Sequence, residues 1–232
     1  RTSWYFKLLK EPRPNWSGIA DGCSHPHANN FRDEMHTIER QAEQLHMAGI
    51  DDVPPPDVNF LTADISRFAL PEDYALLVPG GAAHRPGKRY PAVAYRELCR
   101  HLVKQGVTPL IIGGKAEASV CAEVVTDVPT ARNLCDQTSL AEVAELARGA
   151  VVAIGNDTGP MHLIAPTGCK TVVLFSTDSD PKLCGQRGPD VTILSALMTS
   201  GIPFLDVVQA SGLGGWINEP MGIQPIHMDP LK

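Results

Sequence analysis

The chain has 232 residues, of which 43% are hydrophobic and 20% are charged, a composition typical of a globular protein with one large core or two smaller ones. A formal net charge of -6 argues against a nucleic-acid-binding protein, and no apolar run is long enough to cross a membrane. The six cysteines form no C-x-x-C pair, and several lie inside apolar patterns, which favours reduced thiols in a cytoplasmic protein.

Residues 1–70 have the pattern of part of an α/β domain. Residues 1–10 predict a helix with no strand before it, so we expect further sequence of this domain upstream, and residues 16–30 have the Gly, Pro and Asn content of a loop after a short strand. Apolar residues at helical spacing predict an amphipathic helix over 32–49. The proline-rich segment 51–57 then interrupts regular structure, and we place a domain boundary near residue 70.

Two groups of side chains have the composition of metal ligands. Cys23, His25 and His27 lie in a loop that has no second matched ligand pair, and Asp178 and Asp180 have the D-x-D spacing with which some transferases hold a divalent ion. We interpret both groups as ordinary polar loops and predict no metal site.

Residues 71–210 alternate strand and helix patterns without interruption. The predicted strands are 74–79, 108–113, 132–135, 151–156, 171–175 and 191–194, and the predicted helices are 92–105, 116–125, 139–148, a short one after 156, and 203–210. Such alternation predicts right-handed crossovers and a doubly wound parallel sheet of about six strands. The tail, residues 211–232, is rich in Gly, Pro and Met without a period and predicts a loop or strap.

The most informative stretch is residues 151–168, where an apolar run feeds directly into a helix. Val151–Ile154 has the β-branched composition of a strand buried on both faces, Pro160 suits the first turn of a helix, and Gly168 ends that helix. Asp157 or Thr158 can cap the helix N-terminus.

A short helix at the carboxyl end of a buried strand directs unpaired N–H groups into the crevice where open α/β sheets bind ligands. The sequence therefore suggests a phosphate site, which the ring of His162 can reach and which Gly159 leaves open because it has no Cβ. The alternative is that Asp157 and Thr158 only cap the helix and His162 packs at its edge.

Two other loops belong to the same edge of the sheet by this topology. The first gathers the basic residues His84, Arg85, Lys88 and Arg89 in a glycine-rich segment, which indicates an anionic partner or, alternatively, a solvated basic loop. The second places Glu117 near a helix start, where its carboxylate can cap backbone donors or accept hydrogen bonds from ribose hydroxyls.

These motifs resemble those of glycosyltransferase family 9, which includes the ADP-heptose:lipopolysaccharide heptosyltransferases of Gram-negative bacteria. Asn156–Leu163 is similar to the family signature D-T-G-x-x-H, Arg85–Pro91 to its lysine loop with K-R-W-P, and Thr138–Val143 to the segment before the signature strand. The resemblance covers nearly the whole chain, because Trp16–Ala20 and Met35–Leu45 look like the later part of the family's N-terminal domain.

The resemblance implies a GT-B fold, in which residues 71–210 bind a nucleotide-sugar and residues 1–70 are what this chain contains of the acceptor-side domain. It implies that Lys88 contacts the pyrophosphate, that Asp157 faces the sugar and that Thr138 lies near the base. The substrate-binding residues predicted from the basic loop and from the resemblance are His84, Lys88, Glu117, Thr138, Asp157, Thr158, Gly159 and His162.

The implied activity is inverting transfer of heptose from ADP-heptose to a lipopolysaccharide core acceptor in the cytoplasm, without cofactor or metal. Lys88 and His162 are expected to stabilise the departing diphosphate, as preorganised donors do in a closed site. The family's general base lies in sequence that would precede Arg1, so we expect this chain alone to bind donor and transfer little sugar. Peripheral contact with the inner membrane is left open.

Two departures from the family pattern leave the nucleotide and sugar preference open. Ala83 and His84 stand where some members carry paired hydroxyl residues, and Tyr90 replaces the more usual tryptophan. Two alternative functions also stay open: a nucleotide-sugar epimerase on the same fold, which would release an altered sugar nucleotide without acceptor, and a binding-only remnant without catalysis.

Overall fold

A computed structural model of the protein describes residues 3–82, 84–213 and 226–227. Contacts divide the chain into two units, one formed by residues 1–55 with 182–184 and the other by residues 56–181 with 185–232. In the described ranges, no helix combines the length and the apolar character that a bilayer span requires.

Between residues 3 and 55, the smaller unit has two helices and two short strands. Its elements are α1 (Ser3–Leu8), β1 (Ser17–Gly18), β2 (His25–Pro26), a 3-10 turn (Arg32–Glu34) and α2 (Thr37–His46), with β1 and β2 paired in parallel. The predicted helix over 32–49 is therefore split. Met35 is extended after the 3-10 turn, and the ring of His36 accepts a hydrogen bond from the backbone N–H of Ile38 at 3.3 Å, which starts α2 at Thr37.

All three side chains first considered as metal ligands make other contacts in this unit. His25 Nδ1 lies 3.1 Å from Ser24 Oγ. His27 is buried, and its Nε2 lies 2.8 Å from the Glu43 carboxylate, which also accepts hydrogen bonds from Asn29. The thiol of Cys23 donates to the carbonyl of Gly18. The contacts with Glu43 hold the segment after β2 against α2, whereas the Cys23 thiol bonds back to β1.

Residues 56–70 pack with the larger unit, so the structural division falls before the boundary near residue 70 inferred from the sequence. The Arg148 guanidinium donates to the carbonyls of Leu61 and Val58, both at 2.8 Å, and Arg132 donates to the carbonyls of Phe68 and Ala69. Tertiary hydrogen bonds of this kind leave no pattern in the local sequence.

The larger unit alternates strands and helices as the sequence predicts. Its strands are β3 (Tyr74–Val78), β4 (Thr108–Ile111), β5 (Arg132–Asn133), β6 (Val152–Asn156), β7 (Thr171–Ser176), β8 (Val191–Ala196) and β9 (Ile226–His227). Its helices are α3 (Ala92–Lys104), α4 (Ala118–Val125), α5 (Leu140–Gly149), α6 (Gly159–Ile164), α7 (Pro181–Cys184), whose last three residues group with the smaller unit, and α8 (Phe204–Ser211).

These strands form one sheet in the order β5-β4-β3-β6-β7-β8-β9, and the first six are parallel. The predicted α/β fold with a parallel sheet of six strands is confirmed. The short strand β9 pairs antiparallel with β8 and lies in the tail, for which the sequence predicted no regular structure. The rest of that tail, beyond residue 213, lies outside the described residues.

The central strands β3, β6 and β7 are buried along their whole length, which explains their continuous apolar composition. Strand order reverses between β3 and β6, because β4 and β5 extend the sheet on one side of this pair and β7 and β8 on the other. Open α/β sheets bind ligands in the crevice at such a switch point. The loop after β3, residues 79–91, carries the basic residues and is called the basic loop. The family motif at residues 156–163 begins at the end of β6 and is called the signature stretch.

Candidate active site

The pairing of β3 with β6 brings the basic loop against the signature stretch. Val78 lies opposite Gly155 in the register, and residues 86–88 then form a 3-10 turn that presents Lys88. The Nζ of Lys88 lies 2.6 Å from Oδ2 of Asp157, and their side chains are only 11% and 7% exposed. Two residues that the sequence predicted to bind substrate thus form a largely buried ion pair.

Asp157 also accepts hydrogen bonds from two residues that sequence reasoning missed. Ser179 Oγ donates to Oδ2 at 2.7 Å, and Gln186 Nε2 donates to Oδ1 at 3.1 Å. Burial by itself raises the pKa of Asp157, but the hydrogen bonds from Lys88, Ser179 and Gln186 outweigh it and hold the pKa below its ordinary value of 3.8. A carboxylate stabilised in this way stays ionised and is a weak general base.

His162, in the first turn of α6, completes this group. Its Nε2 lies 3.2 Å from Gln186 Nε2 and 3.8 Å from Asp157 Oδ1, and its side chain is 48% exposed. We call Lys88, Asp157, His162, Ser179 and Gln186 the signature cluster. It combines an ammonium and an imidazole with a single carboxylate, and the exposed face of His162 opens it to solvent.

The start of α6 does not follow the capping that the sequence suggested. Thr158 occupies the N-cap position with extended backbone, but its side chain makes no capping hydrogen bond, and Asp157 is engaged by the signature cluster instead. Thr158 Oγ1 is buried without a hydrogen-bond partner among the described residues. The predicted side-chain cap is therefore wrong, because Lys88 is the stronger partner for Asp157.

Gly159 is exposed at the same helix start, and a Cβ built on it has no heavy atom within 4 Å. In contrast, a Cβ on Gly155 would meet Met161 Sδ at 2.5 Å and Val78 Cβ at 2.8 Å. The fold therefore needs glycine at 155 for packing. At 159 it does not, which leaves room for a ligand next to the backbone.

Asn156, which begins the signature motif, is a third residue that the sequence analysis did not name as part of the site. It is fully buried, its Oδ1 accepts from the N–H of Tyr90 and the hydroxyl of Tyr95, and its Nδ2 donates to the carbonyls of Pro79 and Gly80 at 2.9 Å. It therefore ties both ends of the basic loop to β6. A polar residue at the end of a buried apolar strand was the available sequence signal.

The basic loop is held to the protein at further points. Thr199, fully buried, donates to the carbonyl of Gly87 at 3.0 Å, Arg85 donates to the carbonyl of Asp178 at 3.2 Å, and Arg89 donates to the carbonyl of Gly81. The D-x-D stretch thus contributes a turn that supports this loop. Arg85 and Arg89 each direct part of their guanidinium group to a backbone carbonyl, whereas Lys88 pairs with a carboxylate.

Three predicted substrate contacts lie apart from the signature cluster. Glu117 accepts a hydrogen bond from the N–H of Gly114 at 2.9 Å, as its capping interpretation predicts, and it packs against Gly80. Thr138 is half-buried in the loop before α5, and His84 is exposed in the turn after β3. No hydrogen bond in the described part of the chain joins these three to the cluster, so their contacts with a nucleotide stay predictions. Ala83 lies outside the described residues.

A cleft of about 350 Å³ opens beside Ser179, at the carboxyl ends of β7 and β8. Its lining consists of Ser176, Thr177, Ser179, Asp180, Pro181, Ser195 and Ala196, and most of its exposed surface is apolar. The hydroxyl groups of Ser176, Thr177 and Ser179 already make hydrogen bonds within the protein. The edge of the sheet therefore offers a cationic group next to a mainly apolar cleft.

Comparison with known proteins gives one family and several relatives. Residues 28–204 match the model of glycosyltransferase family 9 (heptosyltransferase). Lipooligosaccharide heptosyltransferase 2 of Haemophilus influenzae is 28% identical over 104 residues, which cover 43% of this chain and 30% of that protein. The aligned segment thus spans less than a third of that curated relative.

Solved structures share the fold. The structure of E. coli ADP-heptose lps heptosyltransferase II matches with a TM-score of 0.72 and 19% identity, over 87% of this chain and 70% of that one. E. coli heptosyltransferase WaaC with ADP matches with a TM-score of 0.61 and 23% identity, over 81% of this chain and 58% of that one.

Proposed function

The chain belongs to glycosyltransferase family 9, the heptosyltransferases, and we propose that its larger unit binds ADP-heptose for transfer of the heptose to a lipopolysaccharide core acceptor. In this proposal the reaction takes place in the cytoplasm and inverts the configuration at the anomeric carbon. The E. coli heptosyltransferase WaaC was solved with ADP, which supports an ADP-based donor for the present chain.

The observation that carries this proposal is the signature cluster. Lys88, from the loop after β3, and His162, from α6 after β6, converge on Asp157 at the switch of strand order. Of the cations in the basic loop, Lys88 is the member of this cluster, and its ammonium has three N–H donors and a short contact with Asp157. It can therefore hold Asp157 and a diphosphate oxygen together.

Chemically, an acceptor hydroxyl attacks the anomeric carbon while the bond to the diphosphate breaks and negative charge grows on the leaving group. Lys88 faces this charge from a largely buried position and His162 from a half-exposed one. Preorganised donors of this kind stabilise a transition state by several kcal/mol in a site closed to water. Asp157 keeps Lys88 in place. Because its pKa is lowered, Asp157 is assigned this positioning role and not that of the base.

The cleft beside Ser179 is proposed to receive the sugar. Ser179 both lines this cleft and donates to Asp157, so the cleft lies next to the expected diphosphate position. Glu117 and Thr138 are proposed to contact the nucleotide on the other side of the switch point, and His84 to meet an anionic group from the exposed turn after β3. This arrangement requires no metal ion.

The test is calorimetric binding of ADP to the protein, before and after treatment with a chelator. We expect equal affinity in both conditions, a strong loss in Lys88→Met, and no change in Lys104→Met, which removes the same charge from an exposed position at the end of α3. A strict requirement for magnesium or manganese, or equal ADP affinity in the two variants, would refute the proposed site. Release of an altered sugar from ADP-heptose without acceptor would favour an epimerase.

A further inference from the structure

Gln186 lies at the centre of the signature cluster, although the sequence motifs described above do not include it. It is fully buried just after α7, and its Nε2 lies 3.1 Å from Asp157 Oδ1 and 3.2 Å from His162 Nε2. One amide nitrogen therefore contacts both the carboxylate and the imidazole of the signature.

Asp157 fixes the orientation of this amide. A carboxylate only accepts hydrogen bonds, so the group that faces it must be the NH2 and not the carbonyl oxygen of Gln186. The Oε1 of Gln186 is buried without a hydrogen-bond partner among the described residues. If the amide were turned over, its oxygen would lie against the charged Asp157 carboxylate and repel it. The cluster therefore leaves this oxygen without a hydrogen bond and keeps the NH2 against Asp157.

The same NH2 decides the protonation of His162. An amide NH2 has no acceptor capacity, so a hydrogen bond to His162 Nε2 requires this ring nitrogen to carry a lone pair. In the neutral imidazole the single ring proton then lies on Nδ1. Without Gln186, the carboxylate of Asp157, 3.8 Å from Nε2, would instead favour a proton on that nitrogen.

We infer that Gln186 is a positioning residue that holds His162 in the Nδ1–H tautomer. The inference deepens the proposed function, on which it rests in one respect: Nδ1–H becomes the ring donor for the diphosphate. Because the tautomer is a property of the protein without ligand, it can be measured whether or not ADP binds.

Two-bond ¹H–¹⁵N correlation spectra of ¹⁵N-histidine-labelled protein test this directly, at about pH 8, where an ordinary imidazole is neutral. His162→Gln identifies the signal of His162 by its loss. We expect the wild-type spectrum to show Nε2 as the unprotonated nitrogen. A spectrum with the proton on Nε2 would overturn the inference without any variant of Gln186.

Two variants separate the hydrogen bond from packing. Gln186→Glu keeps the shape of the side chain but replaces the NH2 with an acceptor, and Gln186→Met removes both polar atoms. We expect either change to move the proton to Nε2, and Gln209→Met, at an exposed position on α8, to leave the tautomer unchanged. Folded Gln186 variants that keep the Nδ1–H tautomer would contradict the inference.

ADP titration of the same proteins then separates the two proposals. We expect ADP to bind roughly fivefold more weakly to Gln186→Met and equally well to Gln209→Met, as the loss of one oriented hydrogen bond predicts. If wild type shows the Nδ1–H tautomer but binds no ADP, the proposed function fails and the role of Gln186 stands. If ADP binds wild type and His162 has its proton on Nε2, the reverse holds.

Discussion

The ion pair between Lys88 and Asp157 predicts a large and strongly coupled loss of stability when either partner is removed. Their charged atoms lie 2.6 Å apart, and both side chains are nearly buried. At an effective dielectric constant of about 20, charges at this distance attract each other by about 6 kcal/mol. Desolvation of the two groups offsets much of this attraction, so the pair adds far less to the net stability.

Removal of one partner is more costly than the net value of the pair, because it leaves the other charge buried. Such changes typically cost about 3–5 kcal/mol. In Lys88→Met, Asp157 keeps its hydrogen bonds from Ser179 and Gln186, so we expect a value near the lower limit, about 3 kcal/mol. We expect Asp157→Asn to cost a similar amount, because it leaves Lys88 without its charge partner.

Urea unfolding of the wild type, the two single variants and the double variant measures this coupling. The double variant removes both charges, so we expect its loss of unfolding free energy to fall below the sum of the single losses by about 2 kcal/mol. Lys104→Met serves as the control for loss of an exposed lysine. Additive losses within about 0.5 kcal/mol would refute the buried pair and the assignment of Asp157 as the partner of Lys88.

Three further predictions concern neighbouring groups. Because the pKa of Asp157 is lowered in the folded protein, the ionised carboxylate contributes its full stability above its ordinary pKa of 3.8 and loses it as pH falls through the lower folded pKa. The difference in unfolding free energy between wild type and Asp157→Asn should therefore be constant near neutral pH and shrink only below about pH 4. Unfolding at a series of pH values measures this difference. Asn156→Ala should lower the unfolding free energy by about 3 kcal/mol, because buried groups lose their partners, and a loss under about 1 kcal/mol would contradict the ties described for the basic loop. Gly159→Ala should leave the unfolding free energy within about 1 kcal/mol of wild type, since its Cβ meets open space, yet weaken ADP binding roughly tenfold by calorimetry, whereas unchanged ADP affinity would remove this glycine from the site.

The order of strands and helices in the larger unit was accessible from the sequence because each element has its own periodicity. Predicted strands at 74–79 and 151–156 agree with β3 and β6 to within a residue or two. Helix starts were less accessible. The helix predicted from 116 begins at Ala118 after a 3-10 turn, and α2 begins at Thr37, because caps depend on individual hydrogen bonds that periodicity does not record.

The sequence by itself identified those residues of the candidate site that lie in local motifs. Lys88, Asp157 and His162 lie in two short stretches whose composition and spacing resemble family 9, so each could be named without the structure. The same reasoning offered Asp157 or Thr158 as the helix cap; Thr158 does occupy the N-cap position, but the predicted side-chain capping bond was wrong. An N-cap is favoured locally, but a nearby buried ammonium competes for the same carboxylate and wins.

Only the tertiary structure decided which groups act on those residues. Ser179 and Gln186 reach Asp157 from the segments after β7 and α7, and Asn156 joins β6 to the loop after β3. These contacts follow from the parallel order of β3, β6 and β7, which brings the carboxyl ends of strands distant in sequence to one edge of the sheet. Sequence periodicity reflects which face of an element is buried, whereas the partner of a buried polar group is set by strand order, and strand order is a property of the folded chain.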